Sequence, residues 1–151
     1  MPLIIRRAAA TDLSLIVEFN RRLAEETEAK VLDVAVLTVG VAAALADPNK
    51  GPYYLAVDGT EVVGQMQITF EWSDWRNGWF WWIQGVYVRA ESRGQGVFRA
   101  LYEHVHQLAR QAGDVVGLRL YVEHENHAAQ RTYEKLGLKP AGYLMLERFP
   151  L

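Results

Sequence analysis

The stretch Arg93-Gly94-Gln95-Gly96-Val97-Phe98-Arg99 sets two glycines between two arginines where a strand-like pattern gives way to a helical one. Glycine lets a backbone approach a ligand closely, and a helix start offers unpaired N–H groups at the positive end of its dipole. With a guanidinium on either side, the arrangement suits a pyrophosphate. A glycine-rich turn carrying two solvated arginines fits the same residues equally well. Two ligands also compete for the loop. Gly94-x-Gly96-x-x-x-Ala100 comes within one residue of the dinucleotide fingerprint, and Glu123 follows the next strand where a ribose-binding acid could stand. Against a nicotinamide site, Arg89 to Arg93 intervene between the strand end at Val88 and the first glycine. The chain is also too short, and too antiparallel before this point, for two mononucleotide halves.

A second constellation is aromatic. All five tryptophans fall between Trp72 and Trp82, and Trp72-Ser73-Asp74-Trp75-Arg76-Asn77-Gly78-Trp79 alternates aromatic with polar residues across a turn. Aromatic faces attract cations, and Glu71 with Asp74 would add charge for an ammonium, with Glu71 placed to accept its proton directly or through water. Core filling and a dimer patch read the same residues, so a homodimer is one outcome of this cluster. His124-Glu125-Asn126-His127 contains a histidine spacing that metals use. No third ligand is placed beside it, so no metal is expected. Glu25, Glu26 and Glu28 read as a solvated helix end or as an acidic rim near an amine.

Elements that could position these residues are legible by period and punctuation. Leu3 to Arg7 reads as a strand. Thr11 can cap a helix with apolar positions at Leu13, Ile16, Val17, Asn20 and Leu23 or Ala24. Asp33 can cap a second helix running to about Ala46, ended by Asp47-Pro48-Asn49. Asp58-Gly59 and Asn77-Gly78 mark hairpins joining strands at Tyr53–Val57, Glu61–Trp72 and Trp79–Val88. Val97, Ala100, Leu101, His104, Val105, Leu108 and Ala109 trace one face of a third helix, which Gly113 ends. Val115–Val122 is a strand, Asn126–Leu136 a helix with Gly137 at its end, and Tyr143–Phe149 a last strand. The order is β-α-α-β-β-β-α-β-α-β, a mixed sheet with hairpins in the middle and a late crossover.

The bulk numbers agree with one globular domain over residues 1–151. Half of the residues are hydrophobic and 23% charged, and the net charge is -2. That charge gives no basic field to favour nucleic acid or an acidic membrane. There is no cysteine, which removes disulfides and thiolate chemistry and fits a cytoplasmic location. No export signal or membrane-length apolar run is read.

The run Val86-Tyr87-Val88-x-x-x-x-Arg93-Gly94-Gln95-Gly96-Val97-x-Arg99-Ala100-Leu101 resembles motif A of the GCN5-related N-acetyltransferase (GNAT) superfamily. Asn126-x-x-Ala129-x-x-x-Tyr133-Glu134-Lys135-Leu136-Gly137-Leu138 is similar to its motif B. The element order also matches, so the resemblance covers essentially the whole chain and implies an α/β fold with a mixed, mostly antiparallel sheet flanked by helices. It implies acetyl-CoA as acetyl donor, with Val86 and Val88 lending backbone groups to the pantetheine arm, Gly94 to Arg99 wrapping the pyrophosphate, and Asn126 meeting the arm from the other side. It makes Tyr133 the acid that protonates the departing thiolate. Two positions depart from the family's pattern: Phe98 stands where a glycine or alanine is usual, and Trp82 where several members carry a glutamate. The expected activity is transfer of an acetyl group to a primary amine, on a small molecule or a peptide. A domain that binds acetyl-CoA or CoA without catalysis is the alternative.

Overall fold

The computed structural model describes residues 2–151 and contains five strands and four α-helices: β1 (Ile4–Arg7), α1 (Leu13–Glu28), α2 (Val34–Ala46), β2 (Tyr53–Asp58), β3 (Glu61–Ser73), β4 (Gly78–Val88), α3 (Val97–Ala112), β5 (Val115–Leu120) and α4 (His127–Lys135). The chain packs as two compact units, one ending at Leu120 and the other Tyr121–Leu151.

In the first unit the sheet order is β1-β2-β3-β4-β5. The first four strands pair antiparallel, and β5 joins β4 in parallel after the α3 crossover. Because side chains alternate across a strand, neighbouring Tyr53 and Tyr54 point to opposite faces. Tyr53 accepts a hydrogen bond from Asn20 of α1, while the Tyr54 ring lies 5.6 Å from His104 of α3. Thus α1 packs on one face and α3 on the other. On the α1 side, Ile16, Val17, Val41, Ala44, Tyr53 and Leu55 form one buried cluster that also holds α2. On the α3 side Leu101 and Val105 are fully buried, two of the positions its apolar period marks.

Two sequence expectations fail locally. Thr11 does not cap α1. A short 3-10 turn at Ala10–Asp12 precedes the helix, and Asp12 does the polar work, accepting from Ala9 N–H (2.7 Å) and from both terminal nitrogens of Arg6 (2.9 Å each). A threonine hydroxyl could not hold a guanidinium in this way. Asp33, by contrast, does cap α2, accepting from Ala35 and Val36.

In the second unit, α4 ends in a Schellman arrangement, Gly137 N–H bonding Glu134 O and Leu138 N–H bonding Tyr133 O. The expected strand at Tyr143–Phe149 does not form. A strand is a pairing rather than a local conformation, and this segment has no strand partner among the described residues.

Candidate active site

The site is built around a discontinuity in β4. Its last pair with β5 is Ile83 with Leu120, yet β4 continues to Val88. Along Gln84–Val88 the strand therefore keeps β3 on one side, as far as Gly64 opposite Val88, and has no strand on the other among the described residues. Within this stretch the pairing slips. Gln65 faces Tyr87 and Gln67 faces Gln84, so β4 holds an extra residue at Gly85-Val86, with Gly85 at φ 55°. This is a β-bulge, and a glycine accommodates its positive φ without a clash. The bulge turns Tyr87 onto the same face as Gln84, three positions away, where its ring meets Phe19 of α1 at 5.1 Å. Val86 and Val88 turn to the opposite face. Beneath the bulge, the buried Gln65 side chain donates to Gly85 O (2.9 Å) and to Asn20 (3.4 Å), while its own Oε1 has no hydrogen-bond partner.

From Val88 the chain enters the glycine loop. Arg89 anchors its start by donating to Val62 O (2.7 Å), and a 3-10 turn follows at Ala90–Ser92. Gly94 and Gly96 have φ values of 74° and 80°. Gly96 caps α3, whose first helical bond runs from Ala100 N–H to Gly96 O. The N–H groups of the preceding turn have no intrahelical partner, which gives the helix start its affinity for anions. A Cβ at Gly94 or Gly96 would meet nothing within 4 Å, so the loop opens onto space. Phe98 does not close it: its ring packs one turn along α3, 6.2 Å from Tyr102. Val97 is buried under the helix start, and Gln95 donates back to Glu91 O (3.1 Å).

The two arginines are held differently. Arg93 donates to Val88 O (3.0 Å), pairs with Glu26 at the end of α1 (2.9 Å) and lies over the Tyr87 ring. Arg99 pairs with Glu103 one turn on (2.8 Å) and is mostly exposed. One of the acidic residues at the end of α1 thus meets the loop.

Glu71 lies opposite Phe80 on the α1 side of the sheet. Its carboxylate accepts from Trp82 Nε1 (2.8 Å) and from Arg119 Nη1 (3.2 and 3.3 Å). Arg119 in turn stacks on Phe80, 3.6 Å from the ring centroid. Beside them Gln84 donates to Thr69 (3.0 Å). Trp82 therefore contributes no carboxylate but holds one in place. Sequence reading missed Arg119, Gln84, Gln65 and Asn20. Arg119 left a trace, as the one charge in an otherwise apolar strand.

The other tryptophans divide. Trp72, Trp79 and Trp81 lie on the α3 side of the sheet, where Trp72 meets Trp79 edge-on at 5.0 Å and Trp81 meets Phe70 at 5.8 Å. Trp75, at the hairpin tip, is 85% exposed. Nine strand steps separate Trp79 from Val88, about 30 Å at ~3.3 Å per residue, so the tip is remote from the glycine loop.

In the second unit Asn126 caps α4, its Oδ1 accepting from Ala129 N–H (3.1 Å). Gln130 braces the preceding turn by donating to Glu123 O and His124 O. Burial pushes the Tyr133 phenol above its usual pKa of 10.0, favouring the protonated form. Among the described residues no three His, Cys, Asp or Glu side chains gather as a metal site, and no helix is long and apolar enough to cross a membrane.

The chain is similar to several known proteins along almost its whole length. The structure resembles that of a possible acetyltransferase from Clostridium difficile 630, with 45% identity, a TM-score of 0.93 and coverage of 100% of this chain and 99% of that one. An integron cassette protein from the mobile metagenome of Cole Harbour Salt Marsh is 24% identical, with a TM-score of 0.82 over 95% of this chain and 88% of that one. A predicted acetyltransferase from Clostridium acetobutylicum, solved with acetyl-CoA, is 20% identical, with a TM-score of 0.78 over 97% and 96%. Among curated proteins no relative matches. The family model described as the acetyltransferase (GNAT) family matches residues 16–138, and the chain belongs to that family.

Proposed function

We propose that this protein is an N-acetyltransferase that takes its acetyl group from acetyl-CoA and passes it to a primary amine, on a small molecule or a peptide. The observation that carries this reading is the half-paired end of β4 running directly into an open glycine loop at a helix start. An extended pantetheine arm, rich in amide groups, can lie along Val86 and Val88 as an added strand would. The pyrophosphate then falls at Gly94–Arg99, where N–H groups, the helix dipole and two guanidiniums suit its charge.

In the proposed reaction the neutral amine nitrogen forms a bond to the acetyl carbonyl carbon and the C–S bond breaks. The thiolate leaves with a proton from Tyr133, whose raised pKa keeps that proton available. Glu71 draws the ammonium form of the acceptor and takes its proton. It lies about 10 Å along the strand from the last β4–β5 pair, at ~3.3 Å for each of three residues, so the proton passes through water. Asn126 holds the arm through the amide NH2, which its capping bond does not use. The reaction requires no metal or nucleic acid, and a cytoplasmic location gives access to the donor.

One observation favours a second reading, a CoA-binding sensor without catalysis: Trp82 supplies no carboxylate of its own beside the opening of β4. Two measurements separate the readings. A ligand that binds only the folded state raises the melting temperature, so acetyl-CoA and CoA should stabilise the protein while NAD does not. An acetyl-CoA consumption assay over a panel of amines and peptides should then find turnover. Stabilisation by NAD alone overturns both readings, and CoA binding without turnover on any amine favours the sensor.

A further inference from the structure

The sheet face beside the opening of β4 carries a cation that the proposed acetyl transfer does not use. Arg119 stands opposite Trp82, one pair before β4 loses its strand partner. Only Nη1 of its guanidinium is engaged, donating to both oxygens of Glu71 (3.2 and 3.3 Å). Nε and Nη2 make no hydrogen bond among the described residues. The buried side-chain atom left unpartnered among those residues is Gln65 Oε1, so Nε and Nη2 of Arg119 are open to solvent. The edge they form is one that grips a carboxylate through two parallel N–H···O bonds. Its plane is already fixed, because the guanidinium stacks on Phe80, 3.6 Å from the ring centroid.

Charge points the same way. Arg76, from the β3–β4 hairpin, lies over the same Phe80 ring at 5.2 Å. Two guanidiniums against the one Glu71 carboxylate leave an excess of positive charge around Phe80. A bare amine drawn towards Glu71 would be repelled by that excess. A ligand that brings its own carboxylate to the open edge of Arg119 turns the repulsion into attraction. Glu71 keeps lone pairs for the ammonium, since its Oε2 accepts from Arg119 alone.

We propose that the acceptor carries a carboxylate as well as its amine, and that Nε and Nη2 of Arg119 hold that carboxylate. The inference rests on the acetyl transfer proposed above and narrows its acceptor to a free amino acid or a short peptide. The guanidinium lies over Phe80, and β4 becomes half-paired at Gln84, about 13 Å further along at ~3.3 Å per residue. Hydrogen-bonding reach takes up ~3 Å at each end. Amine and carboxylate therefore stand several carbons apart, as do the side-chain amine and carboxylate of free lysine or the two ends of a short peptide.

The test titrates lysine against lysinamide, and triglycine against triglycinamide, into the full chain with CoA present, by calorimetry. Within each pair only the carboxylate differs. The wild type should bind the acid roughly tenfold more tightly in at least one pair, as suits a bidentate charged contact. Which pair responds tells the amino acid from the peptide. In Arg119→Gln the preference should vanish, and in Arg119→Lys, which keeps the charge without the fork, it should fall part-way. An Arg119 that only supports Glu71 would, when replaced, weaken acid and amide alike. Equal affinities for acid and amide in both wild-type pairs overturn the proposal, as does a preference that survives Arg119→Gln. Turnover with acetyl-CoA separates this site from the transfer itself. Acids and amides acetylated at equal rates overturn the carboxylate site alone, whereas acid-selective binding without acetylation overturns the transfer and leaves the site standing.

Discussion

Arg93 and Arg99 look equivalent in the sequence, one on either side of the loop's glycines, but the fold treats them differently. Arg93 is held by a carbonyl, a carboxylate from α1 and an aromatic ring, whereas Arg99 pairs with Glu103 on its own helix. An exposed pair at that spacing contributes only about 0.3–0.5 kcal/mol, so Arg99 can turn to a phosphate at small cost. Arg99→Ala should leave the melting temperature nearly unchanged and weaken binding of CoA more than of dephosphorylated pantetheine. Equal losses for the two ligands would show that Arg99 does not meet phosphate. Tyr133→Phe should cut turnover by about 10²- to 10⁴-fold, the usual cost of losing a general acid, with acetyl-CoA affinity kept. Unchanged turnover with chemistry rate-limiting would make Tyr133 a packing residue. The loop's residue types were readable in order along the chain. Its partners were not, because Glu26 lies 67 positions from Arg93 and Glu71 lies 48 from Arg119, separations across which no local pattern carries information.

Turns and caps explain which elements could be read beforehand. Asp33 and Asn77-Gly78 act within a few residues, and the helix and hairpin they announce are present. The bulge at Gly85 was not legible, since a bulge exists only relative to the register of β3. Tyr143–Phe149 has the composition of a strand but not the pairing, and composition cannot supply an edge. Two tests belong to this scale. Gly96→Ala forces a side chain into left-handed backbone at φ 80°, a strain of about 1–2 kcal/mol. It should lower the melting temperature and weaken CoA binding together; binding that stays intact would remove the loop's conformation from recognition. Asp12→Ala removes the acceptor for Ala9 and the partner of Arg6, and should cost about 0.5–2 kcal/mol, as lost caps do. The hydrogen bond from Arg6 holds the Asp12 carboxyl below its usual 3.8. The stability it gives is therefore present above pH 3.8 and lost as pH falls through the lowered value. In acid the wild type and Asp12→Ala should converge, and a constant gap down to low pH would assign the loss to something other than the charge.

Across the whole molecule, burial leaves a common signature on four tyrosines. Tyr53 and Tyr54 sit on opposite faces, Tyr102 is buried on α3, and Tyr133 lies in the second unit. Burial is the largest cause of the shift in all four, and it raises each phenol above 10.0 because a phenolate is costly away from water. A phenol raised in the folded state stabilises fully while pH stays below the unfolded value, and that stability is lost as pH climbs through the folded one. The melting temperature should therefore be insensitive to these groups below about pH 9 and fall steeply above about pH 10, the range in which an unfolded tyrosine ionises. Tyr53→Phe isolates one contribution. Asn20 then loses its acceptor, at 3.3 Å, so the variant should melt lower at neutral pH. Phenylalanine cannot ionise, so its decline on the alkaline side should be shallower and the two curves should approach each other. The slope carries the test rather than the level: parallel curves through the alkaline range would mean that Tyr53 ionises as easily folded as unfolded, and that burial against α1 does not hold its proton.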